Sequence, residues 1–70
     1  MEKQGNLAEF SETEQAVMKL LVLGEKNSEI AARLCVSENT VKYHLKNIYQ
    51  KLQVSSRSQA LHKIREYNIL

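Results

Sequence analysis

The fold is decided by the stretch SENTVKYHLKNIYQKL, which runs from Ser37 to Leu52. On a helix of about 3.6 residues per turn, the apolar residues of this stretch fall on a single stripe. They are Val41, Leu45, Ile48 and Leu52. Ser37 stands directly before the helical pattern, where a hydroxyl can cap the first free amides of a helix. The stretch therefore predicts an amphipathic helix over about 38–52 whose apolar stripe packs on a core.

The opposite face of this helix is polar and carries no acidic side chain. Steps of about 100° per residue place a set of polar residues on the arc roughly 100–240° away from Val41. They are Asn39, Lys42, Tyr43, Lys46, Asn47 and Gln50. Ammonium, amide and phenol groups are donors and acceptors that can meet base edges and phosphates. This face is therefore predicted to lie in the major groove of duplex DNA.

The composition predicts one small helical domain. The chain has 70 residues, no proline and only two glycines, and no segment alternates like a β-strand. Its net charge is +2, but residues 1–36 carry four basic and six acidic side chains (−2), whereas residues 37–70 carry six basic and two acidic ones (+4). This asymmetry favours an anionic partner for the C-terminal half, although a solvated basic face would give the same pattern.

Several function classes are disfavoured by the composition. The longest apolar run, residues 20–23, is too short to span a membrane, and no leader peptide opens the sequence, so we expect a cytoplasmic protein without membrane contact. Cys35 has no cysteine partner, and its spacing from His44 and His62 is poor for a metal site. With no aspartate and no glycine-rich phosphate loop, we expect neither an enzyme nor a bound cofactor or metal.

The first part of the chain is predicted to be a flexible arm, residues 1–9, followed by the domain, residues 10–70. The arm mixes charges, amides and glycine without periodicity. Ser11 and Glu14 have the spacing of a capping box, in which each side chain binds the amide of the other residue. A first helix is therefore predicted over about 12–23, ended by a glycine in a left-handed conformation.

A short second helix precedes the quoted stretch. Asn27 or Ser28 can cap this helix, and its apolar residues recur at three- and four-residue spacing. They are Ile30, Ala31 and Leu34. The small side chain of Ala31 lets the second helix cross the third closely. A turn of about three or four residues separates the two helices, which is typical of a helix-turn-helix motif.

A fourth helix is predicted over about 57–67, with Ser56 and Gln59 at capping-box spacing. Its apolar residues line one side. They are Ala60, Leu61, Ile64 and either Tyr67 or Asn68. The predicted fold is therefore all-α: four helices with a helix-turn-helix and no winged element.

Many positions between residues 10 and 66 match one known pattern. They are Phe10-Ser11, Glu14, Gly24, Asn27, Glu29-Ile30-Ala31, Leu34, Val36-Ser37, Thr40-Val41-Lys42, His44, Asn47-Ile48, Lys51-Leu52, Val54, Arg57 and Ala60. Together they resemble the LuxR/FixJ/GerE-type DNA-binding domain. The resemblance implies a four-helix output domain of bacterial transcription regulators, including response regulators, in which the third helix reads the major groove and the fourth commonly mediates dimer contacts.

Two positions depart from the family pattern. Thr13 stands where the family usually has arginine, so a salt bridge or phosphate contact made there is in doubt. Gln53 stands where the family usually has the glycine of a Lys-Leu-Gly-Val segment. We therefore expect a non-glycine residue in an unusual backbone conformation after the third helix.

The resemblance and the polar face together select the candidate contacts. Base contacts are expected from Lys42, Tyr43 and Lys46, although the lysines would also suit a solvated face and the Tyr43 ring could cover apolar surface. Contacts to the DNA backbone are expected from residues on three helices. They are Lys26, Asn27, Asn39, Thr40, Asn47 and Arg57. Ser37 is expected to cap its helix rather than to contact DNA.

The fourth helix raises the question of dimerisation. Leu61, Ile64 and Tyr67 either complete the small core or, as the resemblance implies, contact a second copy of the chain. A homodimer through this C-terminal helix would bring two recognition helices to the half-sites of an inverted repeat.

The function expected from the sequence is sequence-specific binding of double-stranded DNA by a bacterial transcription regulator. One alternative is a sigma-factor-like promoter-binding domain docked on RNA polymerase, which would add the polymerase as a partner. Another is a helical protein-interaction module that does not bind DNA, although such a module has no need for an acid-free face on its third helix. The sequence fits both a complete small regulator and the C-terminal domain of a larger one.

Overall fold

The structure, a computed structural model, describes residues 9–67 and residue 69. This part of the chain contains four α-helices and no strand, so it contains no wing. The helices are α1 (Glu12–Val22), α2 (Asn27–Leu34), α3 (Glu38–Leu52) and α4 (Arg57–Glu66). The all-α fold predicted from the sequence is confirmed, and α1 and α4 each end one residue earlier than predicted. The predicted arm, residues 1–9, lies outside the described residues except for Glu9.

The helix α3 is the centre of the core, and α1, α2 and α4 all pack against it. Its apolar stripe is buried along its whole length. The other helices and two flanking residues supply the rest of the core: Phe10, Val17, Met18, Leu21, Ile30, Ala31, Ala60, Ile64 and Ile69. Burial of one large apolar side chain such as Ile48 or Leu52, both fully buried, contributes about 1.5–3 kcal/mol. The hydrophobic stripe therefore fixes which face of α3 is left for a partner.

Hydroxyl caps begin three of the four helices, as predicted. The Ser11 Oγ accepts from the Glu14 amide at 3.1 Å, and the Glu14 carboxylate accepts from the Ser11 amide at 2.9 Å. Ser37 caps α3 and Ser56 caps α4 with their hydroxyls. Each hydroxyl accepts from the amide of the residue three positions further along the chain. The predicted second capping box is shifted by one residue, because the side chain of Gln59 accepts from the amide of Ser55 rather than of Ser56.

The predicted cap of α2 is wrong. We expected Asn27 or Ser28 as the cap, but the helix begins at Asn27 and its N-cap residue is Lys26. An ammonium group has no lone pair to accept a hydrogen bond, so Lys26 cannot cap through its side chain. Instead, the Glu29 carboxylate accepts from the Lys26 amide at 2.7 Å, which is half of a capping box.

A residue in the left-handed backbone conformation stands at or just after the C-terminal end of each of the first three helices. Gly24 follows α1 with a φ of +88°, as predicted. Cys35 (φ 58°) ends α2 and Gln53 (φ 60°) ends α3. After each of them the next amide bonds back across the helix end, from Val36 to the Ala31 carbonyl and from Val54 to the Tyr49 carbonyl. The expectation for Gln53 is confirmed, whereas no residue pattern predicted a left-handed Cys35.

A buried carboxylate connects α1 to α3. The Lys51 Nζ lies 2.7 Å from the Glu14 Oε1, donates to the Glu9 carbonyl at 3.0 Å, and sits 5.5 Å from the centre of the Phe10 ring. Burial of the carboxylate raises the pKa of Glu14, but hydrogen bonds from Lys51 and from the Ser11 amide, with the positive charge nearby, outweigh burial and leave this pKa below its ordinary value. The ionised pair therefore holds the N-terminal end of α1 against α3.

Candidate nucleic-acid interface

The exposed face of α3 carries the three predicted base contacts. Because the stripe on the opposite side is anchored in the core, the side chains of Lys42, Tyr43 and Lys46 project away from the domain and are exposed. Tyr43 is 62% exposed, and its ring meets the ring of His44 edge to face, with the ring centres 5.5 Å apart. His44 itself is half-buried.

A shallow groove runs beside this face, where α2 lies next to α3. Its lining combines polar side chains from both helices with apolar side chains. The lining residues are Asn27, Lys42, Leu45, Lys46, Tyr49, Gln50 and Val54. Asn27 is far from the lysines in sequence, so only the crossing of α2 over α3 brings it to the same groove. The groove therefore combines the predicted base contacts with one predicted backbone contact.

The other predicted backbone contacts on α2 and α3 differ in their exposure. Lys26 and Asn39 are exposed, at the N-terminal ends of α2 and α3, whereas Thr40 and Asn47 are half-buried on α3. The Thr40 hydroxyl lies 3.0 Å from the hydroxyl of the cap residue, Ser37. An acidic side chain, Glu38, is exposed in the first turn of α3. Positive charge is therefore concentrated on the first half of α3 rather than at its very start.

Arg57, for which a phosphate contact is predicted, donates two hydrogen bonds within the protein. Its Nη1 donates to the Asn27 Oδ1 at 3.3 Å, and its Nη2 donates to the Glu25 carbonyl. Burial raises the pKa of the neighbouring Tyr49 phenol, and the charge of Arg57 opposes this only partly, so the phenol keeps its proton at neutral pH. Sequence reasoning missed the contact between Arg57 and Asn27, because a separation of 30 residues leaves no local pattern.

The three residues predicted for dimer contacts have different environments. Ile64 is only 2% exposed and belongs to the core of the single chain, so its side chain is not available to a partner. Leu61 is half-buried against the core. Tyr67 is 49% exposed, and the Lys63 ammonium lies 5.6 Å from the centre of its ring. The described surface of α4 therefore offers a partner Leu61 and Tyr67 but not Ile64.

Comparison with known proteins identifies the family. The model of the family described as "Bacterial regulatory proteins, luxR family" matches residues 8–64, which is most of the chain. The chain belongs to the luxR family. It is a helix-turn-helix DNA-binding domain of the kind found in transcription regulators, and this family is not a class of enzymes. The family resemblance inferred from the sequence is confirmed.

Curated relatives of this luxR-family domain are transcription regulators by name. The domain is 47% identical over 55 residues to the probable transcriptional regulatory protein SgaR of Hyphomicrobium methylovorum, covering 79% of this chain and 26% of SgaR. It is 44% identical over 61 residues to the transcriptional regulatory protein YdfI of Bacillus subtilis, covering 87% of this chain and 29% of YdfI. It is 46% identical over 48 residues to the CsgBAC operon transcriptional regulatory protein of Escherichia coli, covering 69% of this chain and 22% of that protein.

The luxR-family domain thus spans between a fifth and a third of the length of these relatives. In the described part of the chain, no helix is long and apolar enough to cross a membrane.

Proposed function

We propose that this domain binds duplex DNA sequence-specifically by inserting α3 into the major groove. Lys42, Tyr43 and Lys46 would meet base edges there, since an ammonium can donate to guanine O6 and N7 and a phenol can donate or accept. The observation that carries the proposal is the exposure of these three side chains on the face of α3 opposite its buried stripe. A helix held rigidly by its other face can present these groups to DNA at little entropic cost.

Contacts to the DNA backbone would fix the depth and register of α3 in the groove. We assign these contacts to five of the predicted residues: Lys26, Asn27, Asn39, Thr40 and Asn47. The position of Asn27 in the same groove as Lys42 and Lys46 supports this assignment. The amides at the start of α2 and α3 add partial positive charge at the same surface.

We further propose that two copies of the domain dimerise through α4, with Leu61 and Tyr67 at the contact between copies. The dimer would bind an inverted repeat. The half-exposed Tyr67 at the C-terminal end of α4 supports this arrangement. The domain would act in the cytoplasm of a bacterium as the output domain of a longer regulator. There it would recruit or block RNA polymerase at the bound promoter.

Selection of bound duplexes from a random pool tests the proposal. The wild-type domain and a Lys42→Ala/Lys46→Ala variant are carried through the same selection, and the affinity for the enriched duplex is measured over a range of salt concentrations. We expect the wild type to enrich an inverted repeat whose half-sites are about ten base pairs apart, with affinity that falls steeply as salt rises. The double variant should retain weak binding without enrichment. A wild-type domain that enriches no sequence would contradict the proposal.

A further inference from the structure

A single arginine at the start of α4 joins the starts of two helices. The Arg57 guanidinium donates from one nitrogen to the side chain of Asn27, the first residue of α2, and from the other to the main-chain carbonyl of Glu25. The Glu25 carboxylate in turn pairs with Arg33, in the last turn of α2, at 2.7 Å. The segment that leads into α2 is therefore fixed by side chains on both sides.

The contact with Arg57 determines which way the Asn27 amide faces. A guanidinium group has only donors, so the atom of Asn27 that it meets must be the carbonyl oxygen Oδ1. The NH2 group of the same amide is then turned away from Arg57. Because Asn27 lines the groove beside Lys42 and Lys46, an NH2 group that faces the groove would offer donors to an anion lying there. The opposite orientation would present a carbonyl oxygen, which repels a phosphate.

We infer that Arg57 is a positioning residue for DNA binding, which holds the Asn27 amide with its NH2 group toward a backbone phosphate and does not touch DNA itself. The inference rests on the proposed function and revises the role predicted for Arg57 from the sequence. Two features support it over direct contact. Arg57 is half-buried, and a nitrogen at each tip of its guanidinium is already bonded to the protein. The same bonds make the phosphate contact at α2 dependent on the packing of α4.

A double-mutant cycle on DNA affinity tests the inference. The variants are Asn27→Ala, Arg57→Gln and the two combined, with the enriched duplex and unrelated duplexes as ligands. Removal of one hydrogen bond to a phosphate should weaken binding by about three- to tenfold for every duplex alike. Arg57→Gln should cause a loss similar to that of Asn27→Ala, and the combined variant should be no weaker than either single variant. Arg65→Gln removes an exposed charge from the same helix and should leave affinity close to that of the wild type.

Arg57→Lys separates positioning from direct contact, because it keeps the positive charge and loses the planar fork. If Arg57 positions Asn27, this variant should bind nearly as weakly as Arg57→Gln, with an unchanged slope of log affinity against log salt. If Arg57 contacts phosphate directly, Arg57→Lys should bind nearly as well as the wild type. Arg57→Gln should then flatten the slope by about one unit, and its loss of affinity should add to that of Asn27→Ala. The second pattern would overturn the inference.

Thermal unfolding of each variant keeps the test interpretable. All affinities are measured at a temperature at which every variant is folded, and Arg57→Lys takes the place of Arg57→Gln in the cycle if the glutamine variant does not fold. A variant of Arg57 that lowers the melting temperature yet binds DNA like the wild type would show that the contact stabilises the fold without affecting DNA binding. That result would overturn the inference. A wild-type domain that binds no duplex selectively would contradict the proposed function instead, so the two failures are distinguishable.

Discussion

Replacement of Lys51 by methionine is expected to lower the free energy of unfolding by about 1–2 kcal/mol at neutral pH. The substitution keeps the apolar stem of the side chain and removes the ammonium that bonds to Glu14 and to the Glu9 carbonyl. A hydrogen bond to a charged group contributes about 1.5–3 kcal/mol. The Lys51 side chain is 39% exposed, so solvent screening reduces this contribution by roughly a third. For a domain of this size the melting temperature should fall by about 5–15 °C.

The loss of stability caused by Lys51→Met should become smaller as pH falls. The pKa of Glu14 in the folded wild type lies below its ordinary value, so the stability from this carboxylate is complete above the unfolded-state pKa and is lost as pH falls through the folded-state pKa. Without Lys51, the hydrogen bond that lowers the pKa of Glu14 most strongly and the nearby positive charge are lost, so the variant takes up its proton at higher pH than the wild type. The difference in stability between wild type and variant should therefore be largest at neutral pH and should narrow as pH falls through the range in which Glu14 takes up its proton.

Far-UV circular dichroism during heating, at several pH values, measures these effects. Lys63→Met is the matched control, because its ammonium lies over the Tyr67 ring rather than at a carboxylate. Glu14→Gln and the Glu14→Gln/Lys51→Met double variant complete a cycle that isolates the pair. A coupling energy near zero, or a difference between wild type and Lys51→Met that stays constant with pH, would refute the account of the pair.

Three further substitutions test other parts of the structure. Lys46→Ala should weaken DNA binding by about 1–3 kcal/mol and relax selectivity at one base position, as measured by affinities for duplexes that differ at single positions. Equal losses of affinity for all duplexes would make Lys46 a phosphate contact. Gln53→Gly should raise stability by about 0.5–1 kcal/mol in urea unfolding, since glycine adopts the left-handed conformation without strain. Ala31→Leu should lower stability by about 1–3 kcal/mol in the same assay, because the buried Ala31 leaves no room for a larger side chain where α2 crosses α3; wild-type stability would contradict close packing there.

The elements that the sequence predicted best are those specified by neighbouring residues. Periodicity and hydroxyl caps are local, so α3 was placed correctly from its apolar stripe and from Ser37. The start of α2 was misplaced because its only side-chain bond to the cap comes from Glu29, a carboxylate that reaches back to an amide. Capping preferences favour residues with oxygen in the side chain, so they cannot identify a cap at Lys26.

The contacts that the sequence did not reveal join residues that are distant along the chain. Ile69 lies beyond α4, yet it is buried, and no periodic pattern extends to it. Ile64 was assigned to a partner surface because one apolar stripe of a helix fits both a core and an interface. The contact of Arg57 with Asn27 left no local pattern either, because an arginine at the start of a helix has the same chemistry whether it faces DNA or an asparagine side chain. Only the packed structure shows which residues such side chains contact within the domain.

The division of α3 into a buried stripe and an exposed face has a consequence for how proteins with this scaffold can diversify. The residues that hold the domain together on this helix are separate from those that face the proposed DNA ligand. Exposed substitutions usually change stability by less than about 0.5 kcal/mol. Positions 42, 43 and 46 can therefore vary widely while folding is preserved. A gene copy could acquire a new operator by a few substitutions on one surface, without first gaining stability to tolerate them.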